Sequence, residues 1–147
     1  MYSVTKKIDF CYGHRLLNYE GKCKYLHGHN GRAVITLEAE QLDRLGMVMD
    51  FSLLKRVVGG WIDQAIDHRM LLHKDDPVLP YLRQQGEPVH VMEVNPTAEN
   101  IARLIFERTA SAGLPVIEVV LWETPNCHAV YARAAAGGPA PGAAEDS

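Results

Sequence analysis

His27 and His29 stand two residues apart in the stretch Cys23-Lys24-Tyr25-Leu26-His27-Gly28-His29. On an extended segment side chains alternate with period two, so both imidazoles project to one side and can reach one metal ion. A third histidine, His14, lies thirteen residues before His27, just after an alternating run that reads as a strand. Three imidazoles with an open fourth position form the donor set of a catalytic zinc, and a nearby thiol, Cys23, is a candidate acid/base or nucleophile. An isolated His-x-His pair is also a common surface feature. His14 and Cys23 are what weight the spacing toward a metal.

Cys23 needs activation, because an ordinary thiol is mostly protonated at neutral pH; Lys22, Lys24 and a nearby cation would each favour its thiolate. Glu123 continues the apolar parity of Ile117, Val119 and Leu121, so it points into protein unless the strand end lets it reach solvent. A buried carboxylate is costly without donors, and a heterocycle presenting an amino group and a ring N–H would satisfy both oxygens. Asp67-His68 offers an acid beside an imidazole, able to fix a tautomer or raise basicity. The same pair suits a helix end, and the two side chains meet only if the helix has stopped before them. A cupin-like site would need a glutamate four or five residues after His-x-His, where this chain has Ala33 and Val34. No Gly-x-Ser-x-Gly occurs, so a hydrolase triad is unsupported.

These groups need strands and helices to hold them. Val4 to Cys11 reads as a strand leading to His14, and 15–26 as a loop. A second strand, from about His27 to Glu40, puts His27, His29, Gly31, Ala33, Ile35, Leu37 and Ala39 on one face. The metal candidates therefore start an apolar face, where low dielectric strengthens charge interactions. Ser52 is the expected N-cap of a helix whose buried stripe is Leu54, Val57, Val58, Trp61, Ile62, Ala65 and Ile66. Gly59-Gly60 weakens that helix in the middle while allowing close packing. A short helix follows Asp75-Asp76-Pro77, and Pro88 to Val94 forms a short strand. Thr97 caps a second main helix that ends at Gly113. Strands from Pro115 to Glu123 and from Cys127 to Arg133 complete the order β-β-α-α-β-β. That order predicts an α+β domain over 1–133, a four-stranded antiparallel sheet with two main helices on one face. Residues 134–147 form a low-complexity tail expected to be disordered. Exposed edges of so long a sheet favour closure with other copies.

With 147 residues, 47% hydrophobic and 22% charged, the chain has the make-up of one soluble domain. Neither an N-terminal apolar region nor a membrane-length apolar run occurs, and three cysteines make no disulfide framework, so a cytoplasmic protein is expected. A net charge of −3 gives no reason to expect nucleic acid. Residues 1–32 nevertheless carry six Lys/Arg against two Asp/Glu. Such a local positive field suits a phosphorylated small molecule, although scattered lysines on a solvated face give the same balance.

Taken together, the chain resembles the 6-pyruvoyltetrahydropterin synthase family, from about Val4 to Tyr131. The resemblance rests on Phe10-Cys11-Tyr12-Gly13-His14-Arg15-Leu16, Cys23-x-x-x-His27-Gly28-His29, Met49-Asp50-Phe51, Asp67-His68, Asn95-Pro96-Thr97-Ala98-Glu99-Asn100 and Glu123-Thr124, in the family's order. Three residues between Cys23 and His27 are similar to the bacterial queuosine branch. The animal-type enzymes place more residues there, and a folate branch replaces the cysteine by glutamate. The resemblance implies the tunnelling fold (T-fold), assembled as a homo-oligomer, trimer or hexamer, with active sites between subunits. It implies Zn2+ on His14, His27 and His29, catalysis by Cys23, Asp67 and His68, and substrate binding by Glu123 and Thr97. The implied reaction converts 7,8-dihydroneopterin triphosphate to 6-carboxy-5,6,7,8-tetrahydropterin, acetaldehyde and triphosphate. Alternatives are a 6-pyruvoyltetrahydropterin synthase on the same substrate, or a non-catalytic zinc- or pterin-binding protein. Two features depart from the family's pattern: Tyr12 stands where small residues are usual, and 73–94 is longer than in the shorter bacterial members.

Overall fold

The computed structural model describes residues 1–134, so the tail expectation from 135 onward lies outside the described residues. Two long strands, β1 (Tyr2–His14) and β2 (His27–Ala39), form an antiparallel pair whose register runs from Tyr2 opposite Ala39 to His14 opposite His27. Burial alternates along both: Phe10, Tyr12 and His14 on β1, and Gly31, Ala33, Ile35 and Leu37 on β2, face inward. β5 (Val116–Thr124) pairs antiparallel with β2, and β6 (Cys127–Ala132) with β5.

The sheet is not the four-stranded antiparallel one expected. It has six strands in the order β4-β3-β1-β2-β5-β6, and β3 (Arg69–His73) runs parallel to both β1 and β4 (Val89–Met92). β3 escapes sequence reading for a physical reason. Leu71 and Leu72 are both fully buried, so no alternation marks the segment. A parallel strand covered on both faces reads as a short apolar run of no distinct period.

The first main helix is a relay: α1 (Phe51–Leu54), a π-helical turn (Lys55–Gly59), then α2 (Gly60–Ala65). Its cap is Asp50, not Ser52; the Asp50 carboxylate accepts from the Ser52 amide at 2.8 Å. A carboxylate cap also meets the positive end of the helix dipole. The π turn falls at the glycine pair, where Gly59 lies close to Ile8. α3 (Leu79–Gln84) is short. α4 (Ala98–Ser111) is capped by Thr97, whose Oγ1 accepts from the Asn100 amide at 3.2 Å. Leu54, Val58, Ile62 and Ile66 meet Ile101, Ala102 and Ile105 of α4 over the inward face of the sheet, forming one core with Ile35, Leu37, Val119 and Leu121. Among the described residues, no helix is long and apolar enough to cross a membrane.

Candidate active site and metal centre

The ends of β1 and β2 bring the three histidines together. His14 is directly opposite His27, and His29 follows two residues along on the same face. Ring centroids are 4.5 Å (His14–His27), 5.0 Å (His14–His29) and 5.2 Å (His27–His29) apart. One ligand nitrogen from each lies within 4.8 Å of the other two.

Their tautomers are set from behind. His14 Nδ1 lies 2.7 Å from the Pro96 carbonyl, and His27 Nδ1 lies 2.7 Å from the Tyr25 carbonyl. A carbonyl only accepts, so each Nδ1 carries a proton and donates it, leaving Nε2 with a free lone pair in the neutral ring. Carbonyl-anchored imidazoles of this kind are characteristic of metal ligands. His14 is 3% exposed, and its Nε2 is the one buried side-chain nitrogen or oxygen without a hydrogen-bond partner among the described residues. Burial pushes the His14 ring below the ordinary histidine range, and the neighbouring His27 and His29 add to this, against the pull of Pro96 and Glu123. His14 is therefore neutral at neutral pH, which is the ligand form. An orphaned, buried, neutral nitrogen facing two more imidazoles fits a metal ion.

Glu123 completes the wall. Its Oε1 lies 3.8 Å from His14 Nε2 and accepts a hydrogen bond from the Tyr12 hydroxyl at 3.1 Å. It points inward, as its parity predicts, rather than to solvent. Desolvation, together with the Glu123 carboxylate, pushes the Tyr12 phenol far above its usual range, so it stays protonated and donates.

Cys23 sits on a 3-10 turn (Lys22–Lys24), tied to the chain just beyond His14 by the Leu16 amide donating to its carbonyl at 2.8 Å. His14, Cys23, Thr97 and Glu123 line one cavity of about 350 Å³, together with Glu99, Cys127 and His128. Sequence reasoning assigned the last three no binding role. Glu99 lies in the first turn of α4, where a carboxylate also complements the helix dipole, and nothing in its spacing distinguishes the two uses.

Asp67 and His68 lie elsewhere. The helix stops at Ala65, and His68 takes a left-handed backbone (φ 58°), so the two side chains meet, with His68 Nδ1 2.8 Å from Asp67 Oδ2. Asp67 Oδ1 accepts from the Cys11 amide at 2.9 Å. Burial works against its charge, but the Cys11 and His68 hydrogen bonds outweigh that and hold the carboxyl below the usual range. The pair lines a concavity of about 880 Å³ with Lys7, Asp9, Cys11, Asn30 and Arg32. Those residues have the parity opposite to Tyr12, His14 and His29. Within one chain, then, neither Asp67 nor His68 lines the cavity shared by His14, Cys23, Thr97 and Glu123, although His68 and His27 border a further concavity of about 670 Å³.

The family model described as 6-pyruvoyl tetrahydropterin synthase matches residues 3–134. The chain belongs to the 6-pyruvoyl tetrahydropterin synthase family. Within that family, the 6-carboxy-5,6,7,8-tetrahydropterin synthase of Rickettsia bellii is 40% identical over 134 residues, covering 86% of this chain and 97% of that protein. The Aquifex aeolicus protein of the same name is 35% identical over 158 residues, covering 88% and 97%. Among solved structures, an uncharacterized protein from Wolinella succinogenes superposes with a TM-score of 0.70 at 29% identity, over 90% of this chain and 98% of that one. The Caenorhabditis elegans 6-pyruvoyl tetrahydropterin synthase gives 0.68 at 24% identity, over 90% and 96%, and shares the fold.

Proposed function

We propose that the chain is a zinc-dependent lyase that converts 7,8-dihydroneopterin triphosphate, with water, to 6-carboxy-5,6,7,8-tetrahydropterin, acetaldehyde and triphosphate. It would act in the cytoplasm, in queuosine biosynthesis. The observation that carries the reading is the convergence of His14, Cys23, Thr97 and Glu123 on one cavity beside three carbonyl-oriented or facing imidazoles. The names borne by the 40%-identical relatives point the same way.

His14, His27 and His29 would hold the metal. A divalent zinc there supplies Lewis-acid polarisation of the substrate's side-chain oxygens and lowers their pKa. Cys23, which lines the cavity with His14, would remove a proton from the substrate's side chain. Glu123 would hold the pterin ring by its amino group and ring N–H, which fixes the substrate's side chain over the metal. The Thr97 hydroxyl accepts from the Asn100 amide and keeps its own proton to donate into the cavity. Glu99, on the first turn of α4, is a second carboxylate for the amino group and ring N–H of the pterin.

Asp67 and His68 face away from this cavity in their own chain. They reach a Cys23 site only if another copy of the chain brings them there. This supports a homo-oligomer, trimer or hexamer, with shared active sites, in which His68 shuttles protons and Asp67 orients it.

Turnover of 7,8-dihydroneopterin triphosphate by purified, zinc-loaded protein tests the reading. It should stop on chelation and in C23A, with C23A still binding metal. Full turnover by C23A, or by metal-free protein, would instead leave the three histidines a structural role.

A further inference from the structure

We propose that the Tyr12 hydroxyl is a positioning group that holds Glu123 off the metal, keeping the fourth coordination position open for substrate. The inference rests on the metal-site reading above and adds a residue to it. In a tetrahedral zinc site, with bonds of about 2.0–2.2 Å, neighbouring donor atoms lie roughly 3.3–3.6 Å apart. Glu123 Oε1, at 3.8 Å from His14 Nε2, stands only a few tenths of an ångström beyond that separation. Left free, this carboxylate is a fourth ligand in waiting. Four protein ligands close a zinc site, whereas a catalytic one keeps a position open. Something must restrain the oxygen.

The restraint is visible. The oxygen nearest the histidine, Oε1, is the one that accepts from Tyr12 at 3.1 Å. The phenol has no room to swing. Tyr12 is 1% exposed, meets His14 edge-on at 5.3 Å between ring centroids, and packs against His29 at 5.7 Å. Its seat is cut by Gly31 on the neighbouring strand: a Cβ there would fall 2.8 Å from Tyr12 Cε1. A side chain so enclosed presents its hydroxyl at one fixed point, and that point is Glu123.

The test is Tyr12→Phe, which keeps the ring in its seat and removes only the donor, with folding checked by thermal melting. In Y12F the freed carboxylate should join the metal. Zinc should then bind about tenfold tighter, the visible spectrum of the Co(II)-substituted protein should change, and kcat should fall about tenfold. Y12F combined with Glu123→Gln should return the metal affinity to that of the wild type. If Y12F binds zinc with unchanged or weaker affinity and shows the wild-type Co(II) spectrum, the inference is overturned while the metal site stands. A wild-type chain that takes up no metal would overturn both.

Discussion

His14 donates its Nδ1 proton to the carbonyl of Pro96, 82 positions away in the sequence, at 2.7 Å. The N-terminus of α4 thereby fixes the tautomer of a metal-ligand candidate on β1. The carbonyl itself is held in place. Asn95 forms two hydrogen bonds with Leu17, accepting from its amide at 2.9 Å and donating to its carbonyl at 3.0 Å. Asn100 in turn donates to the Asn95 carbonyl at 2.9 Å.

Asn95→Ala should therefore loosen the Pro96 carbonyl without touching a ligand. Loss of outer-shell partners costs 10–100-fold in metal affinity, so a competition titration with a chromogenic chelator should find zinc binding weakened by about tenfold or more. Unchanged affinity would mean that His14 is oriented by its neighbours alone.

A second brace acts just beyond His14. Arg15 forms a bidentate pair with Asp76, whose side chain is fully buried and also accepts from the Val78 amide at 2.9 Å. Breaking such a pair by removing one partner costs about 3–5 kcal/mol, because a buried charge is left uncompensated. Arg15 is partly exposed, so R15A should sit toward the lower end of that range in urea unfolding. Burial raises the Asp76 pKa, but its hydrogen bonds with Arg15 and Val78 outweigh this and hold it below the usual carboxylate range. Because the folded-state value is depressed, the stabilisation is present above the unfolded value of about 3.9 and is lost as pH falls through the folded value. D76N should be less stable than the wild type at pH 7, with the gap narrowing as the pH is lowered below 4.

Placement of Asp67-His68 in a different cavity from Cys23 makes the proposed shared site testable by mixing. C23A and H68A should each be inactive alone. Oligomers reassembled from equal amounts should regain about a quarter of the wild-type sites, as random pairing across a symmetric interface predicts. No recovery, from mixtures shown to have exchanged subunits, would confine both groups to one chain.

The seat of Tyr12 also has a stability signature. Gly31→Ala places a methyl 2.8 Å from a buried ring carbon and 3.5 Å from Phe10 Cζ. Neither ring can move without disturbing the core, so overpacking should cost about 1–3 kcal/mol in a urea titration. In a Y12A background the same Gly31→Ala change should cost less, since the methyl then enters the space the phenol leaves.

Much of this site is legible in the sequence because it lies on strands. Period-two alternation put His27 and His29 on the face of Ile35 and Leu37, and it put Glu123 on the face of Leu121. What the alternation could not supply was partnership across the sheet: that Tyr12 would reach Glu123, or that His14 would sit opposite His27. Backbone groups were equally silent, since the Pro96 carbonyl has no side-chain signature. β3 was missed because burial on both faces removes the pattern. The helix cap was misplaced by two residues because Asp50 and Ser52 both have capping side chains, and only the chain's exit from β-conformation at Asp50 decides between them.

The chemistry is tested most directly by the ratio of acetaldehyde to triphosphate released from 7,8-dihydroneopterin triphosphate by the zinc-loaded protein. One acetaldehyde for each triphosphate, with 6-carboxy-5,6,7,8-tetrahydropterin accumulating, is the expected result. Triphosphate released without acetaldehyde, with a 6-pyruvoyl product in its place, would contradict it.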